Sequence, residues 1–378
     1  MRLKSSTPIF VVLLCAWLGA SAEPPKVSFS GYLDADVLTD FEGNFFTNQE
    51  LDLGMSLAFG EKVSANVYAT VLAGAIPAGT GRPAERWAAL LFDGFDITFE
   101  TGIGTFSVGD LVYQYGGFNY YFYKRLSMIT PESFTRGLSY SFEAGALKQT
   151  ILLGAADDAD ELLSYRVQTV EADTIEVNGD SIVDFGNSAD VVGKSELAIT
   201  EGHSVSLFYG LRMDVAKPFD AENARVFGGL EYLGSFGEVL ELKADFGYQN
   251  YGGEASTFSL LVEPLLTFGD FSIAASYYQF FDPDDTGRNF IGDEMYVYVE
   301  PGYAFSEMIA LGLPLEVHEE ESDDDTMEFV DKSSFWAVPT LYIYPADGVE
   351  WWLWGQVAVP FSGDDPIYAV GSEIIVEF

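Results

Sequence analysis

From Val27 to Phe378 apolar side chains return at every second position, in segments of about ten residues. The first segment sets Val27, Phe29, Leu33, Ala35 and Val37 against Ser28, Ser30, Tyr32, Asp34 and Asp36. The next sets Leu51, Leu53, Met55, Leu57 and Phe59 against Asp52, Gly54, Ser56 and Ala58. The form recurs at Val63–Val71, Ser204–Met213, Leu240–Gln249 and Ile309–Val317. Helical period is nearly absent, and after residue 22 no stretch approaches the roughly 20 apolar residues of a spanning helix. Such a chain must build sheets with one apolar and one polar face. Strands of about ten residues exceed what a soluble sandwich usually needs and match a tilted bilayer crossing.

The connectors alternate as well. Short turns (Gly60-Glu61, Gly102-Ile103, Gly145-Ala146, Gly202-His203, Gly269-Asp270, Asp347-Gly348) separate longer polar stretches. The long ones include 74–86, 114–136, 156–193 and 318–333. Alternating short and long connectors predict an all-β, transmembrane, antiparallel up-and-down barrel of about 18 strands, within roughly 16 to 20. Two features disturb the count. The segment Trp87–Phe99 alternates poorly, and Pro264, Pro301, Pro314 and Pro339 fall inside proposed strands, where each removes a ladder donor. The 156–193 stretch is read as a loop, with an extra hairpin as the alternative.

The two ends fit this architecture. Arg2 and Lys4, the apolar run Ile9–Leu18 and the small residues Ala20-Ser21-Ala22 read as a secretory signal peptide over residues 1–22, leaving 23–378 as one domain. The single cysteine, Cys15, would leave with that segment, which removes disulfides, thiolate metal sites and thiol nucleophiles. At the other end, Tyr368, Val370, Ile374, Val376 and Phe378 share one face of a strand, with Ser372 as exception. Ala369, Gly371, Glu373 and Glu377 share the other, with Ile375 as exception. A last strand in a closed barrel must pair with the first.

This tail resembles the C-terminal signature of bacterial outer-membrane β-barrels, whose final residue is typically Phe, and the whole pattern resembles general porin architecture. The resemblance implies location in the outer membrane of a diderm bacterium. It implies lipid and the barrel-assembly machinery as partners, a water-filled channel for small hydrophilic solutes, and a homotrimer. Ile374, Val376 and Phe378 would be the assembly signal. In general porins the loop after the fifth strand folds into the pore. By that resemblance Tyr120, Tyr121, Tyr123, Lys124, Arg125 and Arg136 form the constriction.

Charge sharpens the reading. Asp and Glu number 59 against 18 Lys and Arg, so nucleic acid is excluded as a partner. A barrel of this size leaves an aqueous lumen lined by the polar face. The strand phases place Asp34, Asp36, Asp52, Asp96, Glu196, Glu231, Glu241, Asp245, Glu263, Glu300, Glu316, Glu350 and Glu373 inward, with few bases: Lys148, Arg212 and Lys243. Acidic walls concentrate cations and repel anions. Trp351, Trp352 and Trp354 read as girdle or wall aromatics. The run Glu319–Asp325 reads as a solvated loop, since it lacks the spacing of a calcium loop.

Catalysis is not expected. The two histidines, His203 and His318, fall at opposite ends of the barrel, Gly-x-Ser-x-Gly is absent, and no metal-spaced or cofactor motif occurs. The main expectation is a passive, cation-preferring porin. A substrate-specific channel, for example for saccharides, and a non-conducting adhesin or envelope anchor are the alternatives.

Overall fold

The computed structural model describes residues 25–40, 45–76, 85–115, 117–120, 130–156, 188–214, 224–251, 255–281, 294–320, 333–363 and 365–378. The segment 1–22, the extra-hairpin question in 156–193, the acidic run at 321–325 and Tyr121, Tyr123, Lys124 and Arg125 lie outside the described residues.

The chain forms a closed antiparallel barrel in which each stave pairs with its sequence neighbours and the last strand returns to the first. The first strands are β1 (Lys26–Asp40), β2 (Phe45–Phe59), β3 (Val63–Ile76), β4 (Glu85–Thr101) and β5 (Gly104–Tyr115). Next come β6 (Thr130–Ala144), β7 (Leu147–Ala156), β8 (Ser188–Thr200), β9 (His203–Asp214) and β10 (Arg225–Phe236). Then follow β11 (Leu240–Tyr251), β12 (Ala255–Phe268), β13 (Phe271–Phe281), β14 (Glu294–Ser306) and β15 (Ile309–Gly312). The last are β16 (Leu315–Glu320), β17 (Ser334–Ala337), β18 (Thr340–Ala346), β19 (Val349–Pro360) and β20 (Ile367–Glu377). β15 and β16 both pair with β14, and β17 and β18 both pair with β19. Each couple is therefore one stave, and the barrel has 18.

The prolines explain these divisions. Pro314 separates β15 from β16, and Pro339 separates β17 from β18. Their carbonyls still accept across the gaps: Val338 N donates to Pro314 O (2.9 Å) and Gly355 N to Pro339 O (3.1 Å). Leu313 N donates to Pro301 O in the neighbouring stave (3.1 Å), so the three prolines form a row across adjacent staves. At Pro264 the register between β12 and β13 is interrupted, passing from Val262↔Tyr277 to Leu265↔Ala274. A proline can remain in a sheet where the ladder is already broken.

The poor alternation of β4 also has a local cause. Its register with β3 moves from Tyr68↔Gly94 to Ala69↔Phe92, skipping Asp93, a bulge that shifts the phase of half the strand. Gly94 holds φ 125° there, which a side chain would resist. Beyond Asp96↔Gly109 the β4–β5 register stops. Asp110 fills the divergence: its Oδ2 accepts from Phe95 N (3.1 Å) and its Oδ1 from Arg136 Nε (2.6 Å).

Closure runs from Tyr32↔Glu377 to Asp40↔Ala369. Gly31 and Phe378 exchange backbone bonds at 2.9 and 3.1 Å. The Phe378 ring lies where a Cβ on Gly31 would stand, so glycine is required for this close approach. Ile374 and Phe378 are exposed on the outer face, in phase with Val376. Ser372, the polar exception on that face, accepts from Trp351 Nε1 (2.8 Å).

Candidate functional site

Directly opposed residues of an antiparallel pair share a face, so one strand's phase determines its neighbour's. One face carries exposed apolar side chains, among them Phe29, Leu138, Leu153, Leu207, Leu230, Phe246, Leu260 and Leu311. The other is lined by charged and aromatic groups and surrounds the lumen. The register places every acid named above on the lumen face, from Asp34 and Asp36 through Glu241, Asp245, Glu300 and Glu316 to Glu373. Lys148, Arg212 and Lys243 are there too. Lys194 and Asp190 join them. Their signal was present, because 190, 192, 194 and 196 share one phase, but Val191-Val192-Gly193 hides the alternation.

The lumen wall divides by how its acids are held. On β8 to β12 Asp190, Glu231, Asp245 and Glu263 have cation partners. Arg212 grips Asp190 through Nε and a terminal nitrogen, both at 2.8 Å, with both residues nearly buried. Lys194 meets Glu231 at 3.1 Å. Lys243 lies 3.7 Å from Asp245 and 3.5 Å from Glu263. From β14 round through β20 to β4 the described donors are neutral. Tyr298 and Tyr342 each donate to Glu300 at 2.6 Å, to Oε2 and Oε1. Trp352 Nε1 donates to Glu350 (2.9 Å) and Tyr296 to Glu316 (3.0 Å). Asn48 N donates to Asp36 (2.6 Å), Thr70 to Asp52 (2.5 Å) and Asn66 to Asp96 (2.9 Å). Glu373 stands opposite Asp36 in register. Among the described residues no Lys or Arg ion pair forms on this arc.

Residues Gly117–Tyr120, just after β5, lie against the far wall. Lys243 Nζ donates to Gly117 O. Glu263 Oε1 accepts from Asn119 N (2.8 Å), Tyr120 N (3.3 Å) and Ser276 Oγ (2.7 Å). Phe118 seats edge-on against Tyr278 and Tyr296, with ring centroids at 5.1 and 5.4 Å. Buried Leu261, Phe280 and Tyr298 complete that cluster, and Tyr120 packs on it. Burial first, then the carboxylates of Glu263, Glu241 and Glu300, hold the Tyr120 phenol above its ordinary value. The aromatics of this loop thus pack partly on the wall.

Arg136, expected in the constriction, is corrected to a strand residue. β6 begins at Thr130, and Arg136 alternates in phase with Leu138, which is exposed on the outer face. Its guanidinium bonds Asp110 where β4 and β5 part. The long connectors are likewise shorter than the sequence implied: β7 reaches Ala156 and β8 starts at Ser188, while β16 reaches Glu320.

On the short-turn side of Tyr120 the lumen holds a cavity of 510 Å³. Tyr120, Tyr298, Glu300, Tyr342, Trp352 and Trp354 line it. Trp352 and Trp354 therefore face inward, while Trp351 is on the lipid side.

A closed barrel with an apolar outer face, a polar lumen, short turns at one end and longer connectors at the other has the porin architecture, a fold found in the outer membrane of diderm bacteria. No family model and no curated protein matches the sequence. Solved structures do match the fold. The barrel is similar to Pseudomonas aeruginosa OpdK, solved with vanillate, at TM-score 0.57 and 12% identity over 93% of this chain and 98% of that one. It is similar to P. aeruginosa OccD3 (OpdP) at TM-score 0.54 and 11% identity, covering 95% and 93% of the two chains. For P. aeruginosa OccK3 (OpdO) the values are 0.53 and 13%, over 93% and 96%.

Proposed function

We propose that the protein is an outer-membrane channel for small hydrophilic solutes, that it prefers cations, and that the segment after β5 forms its constriction. The observation that carries the preference is the arc from β14 to β4, where Glu300, Glu350, Asp36, Asp52 and Asp96 receive hydrogen bonds from neutral groups. A neutral donor orients a carboxylate without cancelling its charge, so the field of this arc reaches the lumen. Asp190, Glu231, Asp245 and Glu263 on the paired wall contribute less, because each faces a cation within 4 Å. Contacts of Gly117–Tyr120 with Glu263 and Lys243 support a peptide held across the lumen rather than outside it.

A second reading, a substrate-specific channel, is favoured by the cavity beside Tyr120. The neighbour OpdK was solved with vanillate. For this chain an anionic aromatic solute would meet Glu300, so a different ligand chemistry is required. No transport role in these readings uses a catalytic group.

Recording purified protein in a planar bilayer under a KCl gradient tests the proposal. Stepwise conductance with a reversal potential of cationic sign is expected. Absence of steps contradicts the channel, and an anionic sign contradicts the acidic arc.

A further inference from the structure

We propose that the cavity below Tyr120 binds an organic ammonium ion, a substituted amine rather than a sugar, an anion or a metal. The proposal rests on the channel reading and names the solute class for its specific form. Three features of the lining lead to it. First, the cavity is aromatic: Tyr298, Tyr342, Tyr344, Trp352 and Trp354 border it, with Tyr120 at its upper edge. Electron-rich ring faces attract cations, and they do so most strongly when the cation is shielded from water. Second, Glu300 sits among them with its oxygens fixed by the phenols of Tyr298 and Tyr342. Each oxygen accepts one of these bonds and keeps a further acceptor site. Third, no Lys or Arg is among the described residues that line it, so among these the carboxylate charge is left for a ligand to compensate.

The backbone is cut to accommodate this group. Gly312, opposite on β15, stands so close that a Cβ would collide with Glu300 Oε1. Trp352 is held edge-on to Tyr342 at 5.4 Å, and its indole nitrogen is anchored on Glu350. The box is therefore fixed by side-chain hydrogen bonds before a ligand arrives.

Competing ligands fit less well. A hard metal ion takes six to eight oxygen ligands, whereas the rings supply carbon faces. A saccharide could stack on the tryptophans, but it would leave Glu300 uncompensated in a partly desolvated site. An anion would add repulsion. The volume, 510 Å³, falls within the range of small-molecule sites and exceeds what a bare inorganic cation fills.

Choline is the probe, with its neutral isostere 3,3-dimethylbutan-1-ol and glucose as controls, added to single channels at constant KCl. Choline should reduce the current saturably, while the isostere and glucose should not. Glu300→Gln should weaken the block by at least about tenfold. Trp352→Leu should weaken it by about two- to thirtyfold, the range of one cation–π contact. Trp351→Leu, on the outer face, should leave it unchanged. Folding of each variant is checked by its conductance steps in KCl. For any variant that gives none, choline quenching of tryptophan fluorescence in the detergent-solubilised wild-type protein replaces the comparison, with saturation expected. Unsaturable choline current, equal block by the isostere, or block by glucose alone overturns the site while leaving the channel intact. Absence of KCl conductance in the wild type would instead remove the channel reading on which the site depends.

Discussion

Two arcs of one lumen wall treat their carboxylates in opposite ways. On β8 to β12 Asp190, Glu231, Asp245 and Glu263 meet Arg212, Lys194 and Lys243. On β14 through β20 to β4, Glu300, Glu350, Asp36, Asp52 and Asp96 meet phenols, an indole, a hydroxyl, a side-chain amide and a backbone N–H. The first arrangement offsets charge and ties residues Gly117–Tyr120 to the wall. The second keeps charge and orients it. Burying an ion pair stabilises little, but losing one member exposes the full cost of the other. On the proposed reading, the same residue type serves structure on one side and electrostatics on the other.

The largest effect should come from breaking a pair on the first arc. Arg212→Ala leaves Asp190, 2% exposed, without its bidentate partner and should cost about 3–5 kcal/mol. Urea unfolding in lipid vesicles reads this out, and a loss below 1 kcal/mol contradicts the structural role. Lys243→Met removes the cation shared by Asp245, Glu263 and the Gly117 carbonyl. It should cost about 1.5–3 kcal/mol and raise single-channel conductance as the peptide loosens. Unchanged conductance would separate the peptide from the constriction.

Closure provides an intermediate case. Gly31→Val forces the Phe378 ring aside and should cost about 1–3 kcal/mol by overpacking, seen as slower appearance of the heat-resistant folded form. The smallest stability effect belongs to the second arc. Asp52→Asn keeps an oxygen for Thr70 and should change stability by about 1 kcal/mol or less while reducing cation preference. A large destabilisation there would show that this arc, too, is structural.

The division between the arcs was only half legible in the sequence. Period two identified the barrel and put Asp34, Asp52, Glu241 and Glu316 on the lumen face, because phase is a local property. Partnership is not local: Asp190 meets Arg212 from the next strand, and Glu231 meets Lys194 from two strands away. Lys194 was hidden by the apolar residues before it. The acidic excess was visible in composition, but not which acids have cation partners among the described residues.

Other departures have equally physical causes. The skipped Asp93 shifted the phase of β4, which a periodic reading registers only as noise. Pro314 and Pro339 looked like objections to strands and are instead the points where two staves are divided. Ser372 and Ile375 broke the alternation of the last strand, and Ser372 is reconciled by the Trp351 indole. Trp352 and Trp354 had the inward phase, but their cavity depends on Tyr120, which arrives from a distant part of the chain.

The measurement that bears most directly on the two-arc account is a pair of reversal potentials in the same KCl gradient. One variant carries Asp52→Asn, Asp96→Asn and Glu350→Gln, and the other carries Asp190→Asn with Arg212→Met. The account predicts that the first moves the reversal potential toward zero, while the second keeps the wild-type value. Equal shifts in the two variants, or a shift confined to the second, would contradict it.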